Sequence, residues 1–204
     1  MIRFLYASDL GAFPGLQDSM FRDRAAQFRD RLNWEVAVDE SGWERDAYDA
    51  MEPLYVIWQR ADGTHGGSMR FLPTTGDTMV NDHFLHLTQG VRIASPFIWE
   101  CTRFCLAPGA EARVSAALML GGLELGLRFG LSHAVGVFDA RMVRVYRALG
   151  WSPALMGSEG GVSVGLWAFE PEVRAGLLGK AGVSGEVADW WVRRAFGGGE
   201  RLAG

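Results

Sequence analysis

The run from Ala112 to Phe129 leaves this chain few folds to choose from. Apolar residues occupy nearly every side of the helix it would form. A helix apolar all round is buried all round. Its longest uncharged apolar part, Val114 to Leu123, is about half a membrane span. The covering must therefore come from the rest of the chain. With 8 Trp, 12 Phe and 4 Tyr in 204 residues, the material for a large core is present. Gly121, Gly122 and Gly126 inside the run each cost about 1 kcal/mol relative to Ala. They point to close backbone packing or to space for a ligand.

Shorter elements surround this helix. Ile2 to Ala7 reads as a first strand. Leu16 to Leu32 reads as a helix, because Leu16, Met20, Phe28 and Leu32 recur every four residues. Arg24 fills the missing place in that row, so it must be paired or must snorkel to water. Strands are predicted at Tyr55–Trp58, Gly67–Leu72, Ile98–Leu106 and Ser132–Phe138, with Asp62-Gly63 turning between the first two. Asp139 is placed to cap the next helix and Gly150 to end it, with Met142, Val145, Tyr146 and Leu149 facing inward. Two strands flank Gly157–Gly161, and one last helix runs from about Glu172 to Ala195. Mixed strands and helices in this order predict an α/β domain with a mixed sheet.

Charge is uneven. Residues 1–107 hold 10 Lys+Arg and 15 Asp+Glu, and residues 108–204 hold 10 and 9. The acidic excess gathers in Glu35 to Glu52, either a solvated loop or a surface for a cationic ligand. A net charge of -4 argues against phosphate-driven nucleic-acid binding. No signal-peptide or membrane-span pattern appears, so a cytoplasmic protein is expected. Cys101 and Cys105 are expected as free thiols. No metal site is expected from His65, His83, His86 and His133.

Three local groups carry the chemistry. The first is Arg24, Phe28 and Trp34. Glu44, Asp46 and Asp49 form the second. The third is Arg70, then Phe84, then Trp99-Glu100-Cys-Thr-Arg103-Phe. Their order and separations resemble the LuxI-type acyl-homoserine-lactone synthases, the autoinducer synthases of bacterial quorum sensing. The resemblance runs from about residue 3 to residue 170 and is most specific between residues 24 and 104. It implies a GNAT-like α/β/α sandwich with a twisted mixed sheet. It also implies acyl transfer from acyl carrier protein or acyl-CoA to the amine of S-adenosylmethionine, then lactone closure and loss of methylthioadenosine. No cofactor is implied, because S-adenosylmethionine is a substrate, and neither membrane nor nucleic acid is an expected partner. One domain over 1–204 is expected, with an S-adenosylmethionine part at about 1–107. An acyl and carrier part follows at about 108–195, then a flexible tail at 196–204.

Carried onto this chain, the resemblance assigns Arg24, Phe28, Trp34, Glu44, Asp46, Asp49, Arg70 and Phe84 to S-adenosylmethionine. The carboxylates would offset a sulfonium and an ammonium, the rings would supply cation-π faces, and Arg24 or Arg70 would take the methionyl carboxylate. Glu100 is the expected base, with Arg103 holding it or stabilising the oxyanion. Residues 100 and 103 of a regular strand point to opposite faces, so a bulge between them is expected. The acyl pocket is placed at Cys101, Thr102, Phe104, Gly122, Gly136, Phe138, Met142 and Tyr146. Gly136 stands where makers of 3-oxo products often carry Thr. With Gly122 it is expected to open a deep tunnel for a medium or long unsubstituted chain. Arg141, Arg144 and Arg147 form a basic stripe, either a solvated face or a dock for acyl carrier protein. The segment Leu106 to Arg113 lacks a GNAT coenzyme loop, which favours a carrier-linked donor. Alternative readings are an N-acyltransferase with another amine and a non-catalytic sensor of S-adenosylmethionine or acyl groups.

Overall fold

The computed structural model describes residues 1–197. Seven strands form one mixed sheet in the order β1-β2-β3-β4-β5-β7-β6. Strands β1 (Ile2–Tyr6), β2 (Leu54–Gln59), β3 (His65–Pro73) and β4 (Ile98–Leu106) make an antiparallel meander. Helix α3 (Ala112–Phe129) then crosses over to β5 (His133–Asp139), which lies parallel to β4. Beyond it, β7 (Val162–Ala168) and β6 (Ala154–Glu159) close the far edge antiparallel.

Strand alternation sorts the core into two layers. Tyr55 and Ile57 of β2 pack under Leu16, Met20 and Phe21 of helix α1 (Pro14–Ala25). Leu54 and Val56, with Met69 and Phe71 of β3, pack on the other face against α3. Further along the first face, Val80 of the short helix α2 (Met79–His83) and Leu87 cover Val135 and Val164. Helices therefore flank both faces, in the expected α/β/α arrangement.

Strand β4 and helix α3 have the expected limits. Other elements differ. The predicted helix over 16–32 changes to a π-helical turn over Ala26–Arg31, ended by Asn33 at φ 54°. The last helix is two, α5 (Arg174–Ala181) and α6 (Gly185–Phe196), because Gly182 turns the chain at φ 64°. Asp139 accepts from the Arg141 N–H, in the turn before helix α4 (Met142–Leu149), not from the helix itself. Val145 is 39% exposed rather than inward. The expected tail lies outside the described residues from residue 198 on, and Phe196 belongs to α6.

One glycine fixes the segment that follows α2. A Cβ at Gly157 in β6 would lie 2.1 Å from the Leu87 carbonyl oxygen. Gly157→Ala is therefore expected to lower stability by about 1–3 kcal/mol, since backbone must move. Urea unfolding checks this, as a lower midpoint at unchanged slope.

Candidate active site

The site starts at an irregularity in β4. Thr102 pairs with Arg70 and Cys105 with Ser68, so Arg103 and Phe104 together face Met69 alone. This is the expected bulge, and Arg103 takes φ 54°, a costly conformation for a residue with a side chain. The extra residue re-aims the strand. Cys101, Phe104 and Leu106 join the core on the α3 face. Thr102 and Arg103 meet Arg70 and Glu44 on the α1 face.

A second irregularity opens the sheet. Strands β4 and β5 pair only over Ile98–Glu100 with His133–Val135. Past those residues they part, and a cavity of ≈ 1180 Å³ runs through the gap. On the α1 face it is lined by Phe28, Arg31, Trp34, Asp46, Tyr48, His83 and Phe84. On the α3 face its lining includes Cys101, Phe104, Gly122, Gly136, Phe138, Met142, Tyr146, Trp167 and Phe169.

The wall of the α1-face chamber is an ion-pair network. Arg24 Nε donates to Glu44 at 2.6 Å, and its two terminal nitrogens grip Asp49 at 2.9 Å each. Arg70 grips Asp46 at 2.5 and 3.0 Å, reaches Asp49 at 2.8 Å, and donates from Nε to Thr102 Oγ1 at 3.0 Å. Arg103 closes the set on Glu44 at 2.9 Å and Asp46 at 2.8 Å. Asp46 and Asp49 also form a reciprocal capping box, and Tyr55 donates to Asp49 at 2.6 Å. Burial alone would raise the Asp49 pKa, but Arg24 and Arg70 hold it well below the usual carboxylate range. The same pairing raises Arg24 against a burial effect of opposite sign.

This geometry corrects several expectations. Three guanidinia meet three carboxylates, so Glu44, Asp46 and Asp49 are compensated within the protein and carry no surplus negative charge for a ligand. Arg24 and Arg70 are each 1% exposed and fully engaged, so neither is available for a methionyl carboxylate. Arg24 does not snorkel; it is paired. Arg103 holds Glu44 and Asp46 and does not hold Glu100. Thr102 lines the cavity, but on the α1 face, where its Oγ1 accepts from Arg70. Gly122 and Gly136 line the cavity, and neither position has room for a larger side chain without pressing on a neighbour. A Cβ at Gly122 would meet Met69 at 3.1 Å, and one at Gly136 would meet the Cys101 carbonyl at 3.0 Å.

Glu100 stands apart from the network. It is 1% exposed, and its two oxygens accept the N–H groups of Val80 at 2.6 Å and Met79 at 3.0 Å. No cation lies within ion-pair distance among the described residues. Burial pushes its pKa up to about 7 against those two N–H groups. It thus fastens α2, which carries His83 and leads into Phe84. The Phe28 and Trp34 rings stack at 5.3 Å and 16° on the opposite wall.

Arg144 and Arg147 are exposed on α4 without ion-pair partners among the described residues. Arg141 lies at the cavity and is closed by Asp139 at 2.5 Å. The lining also holds residues the sequence reading passed over. Arg31 stands one helical turn from Phe28, exposed and free of ion pairs among the described residues. Its spacing from Phe28 is the one signal that marked it. Tyr48, Trp151, Trp167 and Phe169 come from packing and strand order, which no local pattern reveals.

Comparison with known proteins bears on this site. The family model described as autoinducer synthase matches residues 14–165. An acyl-homoserine-lactone synthase of Rhizobium etli is 46% identical over 178 residues, covering 82% of this chain and 84% of the relative. The structure of a CoA-dependent acyl-homoserine lactone synthase, MesI, superposes with a TM-score of 0.79 at 25% identity, covering 91% and 97%. An acyl-CoA N-acyltransferase of Pseudomonas aeruginosa superposes with a TM-score of 0.55 at 13% identity, covering 82% and 98%, and shows the shared fold alone. A family match over most of the length and a relative of this identity agree: the chain belongs to the autoinducer synthase family.

Proposed function

We propose that this protein is an acyl-homoserine-lactone synthase joining an acyl thioester to the amine of S-adenosylmethionine. Lactone closure then releases methylthioadenosine. The observation that carries this reading is the through-sheet cavity, aromatic and polar on one face and apolar on the other. Two unlike substrates entering from opposite faces would meet at the parted strands.

Each chemical need has a candidate. Trp34, 40% exposed and stacked on the buried Phe28, offers a π face to the sulfonium. Arg31, unpaired among the described residues and lining the cavity, takes the methionyl carboxylate. The attacking amine must lose a proton, and Glu100, with a pKa near the working pH, takes it through a water. Backbone N–H groups at the bulge stabilise the oxyanion. The ion-pair network orders the loop that walls the chamber rather than touching the substrate charge. Cys101 lines the cavity, but burial raises its thiol pKa, which supports direct transfer over a thioester intermediate.

Methylthioadenosine release from S-adenosylmethionine, with and without an acyl thioester, tests the reading, with the lactone identified by mass spectrometry. Release that depends on the thioester and yields a lactone supports it. Thioester consumption without lactone overturns it.

The donor handle is tested separately. With Arg141 neutralised by Asp139, a carrier dock reduces to Arg144 and Arg147. Arg144→Glu is expected to raise KM for a carrier-linked donor by about 3- to 10-fold, less at high salt. The same acyl group on CoA should show no such change. Equal behaviour of the two donors removes this stripe from docking.

A further inference from the structure

The apolar chamber holds one deeply buried polar group without a partner. Tyr146 of α4 is 5% exposed and lines the cavity. Its hydroxyl makes no hydrogen bond to any described residue. Among the described residues the unpartnered side-chain atoms sealed from solvent are His65 Nε2 and Trp191 Nε1, and Tyr146 Oη is not one of them. An unpaired, unsealed hydroxyl on a cavity-lining ring opens into the cavity.

Its neighbours are already satisfied. Trp167 Nε1 donates to the Trp151 carbonyl at 3.2 Å, and Trp151 Nε1 to the Ala168 carbonyl at 3.0 Å. Cys101 Sγ rests on Met69 Sδ at 3.8 Å. Ser115 also lines the cavity unpaired, but it is only half-buried. The Tyr146 ring cannot swing away. It packs edge-on against Trp167 at 4.9 Å, Phe138 at 5.3 Å and Phe104 at 6.4 Å. Phe104 belongs to the bulge, so the phenol sits at the start of the chamber, beside the parted strands. Burial raises its pKa, with Cys101 adding to the effect, so the group stays a donor at working pH.

A plain hydrocarbon chain filling this chamber strips water from the phenol and gives nothing back. A chain with an acceptor oxygen near its thioester end restores the hydrogen bond. We propose that Tyr146 selects acyl groups bearing an oxygen close to the thioester, such as 3-oxo or 3-hydroxy chains, over unsubstituted ones. This reverses the expectation drawn from Gly136, where a larger side chain would press on the Cys101 carbonyl and the Trp167 ring. The oxygen is read from Tyr146 instead. The inference rests on the acyl-transfer reading above.

The test compares octanoyl, 3-oxooctanoyl and 3-hydroxyoctanoyl thioesters on one handle, by kcat/KM for methylthioadenosine release. The wild type is expected to favour the oxygenated donors by about 10- to 100-fold, the range set by one unmet buried hydrogen-bonding group. Tyr146→Phe keeps the ring and is expected to collapse that ratio to within about twofold. Equal donors in the wild type overturn the inference without touching the proposed function. So does an equal loss on all three donors in Tyr146→Phe, which would assign the phenol to packing or to the thioester carbonyl. Lactone from none of the three overturns the proposed function, and the inference with it.

Discussion

Glu100→Gln should cut turnover by about 10²- to 10⁴-fold, the usual contribution of a positioned base. The fold bears a cost as well. Each Glu100 oxygen accepts one backbone N–H group of α2, and in Gln one of those oxygens becomes an NH2 that cannot accept. The other N–H is left buried and unpaired, at about 1–3 kcal/mol. The pH profile separates the two roles. If Glu100 takes the proton, wild-type kcat/KM rises with pH and levels off above about 7, where burial sets its pKa. Glu100→Gln then loses that limb. A variant that keeps the limb and only raises KM for S-adenosylmethionine assigns Glu100 to fastening α2. Stability carries the opposite sign. The folded protein holds this proton more tightly than the unfolded chain, whose ordinary value is 4.5. Its contribution to stability is full below about 4.5 and is lost as pH rises through about 7.

Arg24→Met should be the most destabilising of the substitutions considered, at about 3–5 kcal/mol. It leaves Glu44 to Arg103 and Asp49 to Arg70, with one uncompensated negative charge in a wall that excludes water. The expected fall in Tm is roughly 10 °C or more for a chain of this size. Arg22→Ala is the control. Arg22 pairs with Asp18 at 2.9 Å with its side chain 54% exposed, and such pairs contribute about 1 kcal/mol or less. Equal Tm losses for the two variants would contradict the network's role. Activity falls with Arg24→Met as well, because the loop it orders carries Asp46 and Tyr48 to the cavity.

How far the sequence reveals this molecule depends on the range of the interaction. Helix α3 and strand β4 are legible because their limits follow from local periodicity and from Gly130 ending the helix. The bulge is legible by logic: two residues on opposite strand faces were required in one site. The π-helical turn is not legible, since packing overrides a four-residue spacing that continues across it, whereas the break at Gly182 has a local signal, a helix-ending glycine followed by the Ser184 cap, that the sequence reading passed over. Arg24 is the instructive residue. The sequence shows a cation in an apolar row, but its two partners lie 20 and 25 positions away. Charges that look like a cation-binding surface in one dimension cancel in three. Tyr146 is visible as an apolar-face aromatic, whereas its unpaired hydroxyl depends on β7 packing beside β5.

The balanced guanidinium–carboxylate set joins positions 24, 44, 46, 49, 70 and 103. During synthesis the three acids and two of the bases leave the ribosome well before the third base does. Until Arg103 emerges, closing the loop would trap an excess anion away from water, which is costly. The loop that walls the chamber is therefore expected to close late, after β4 has joined the sheet.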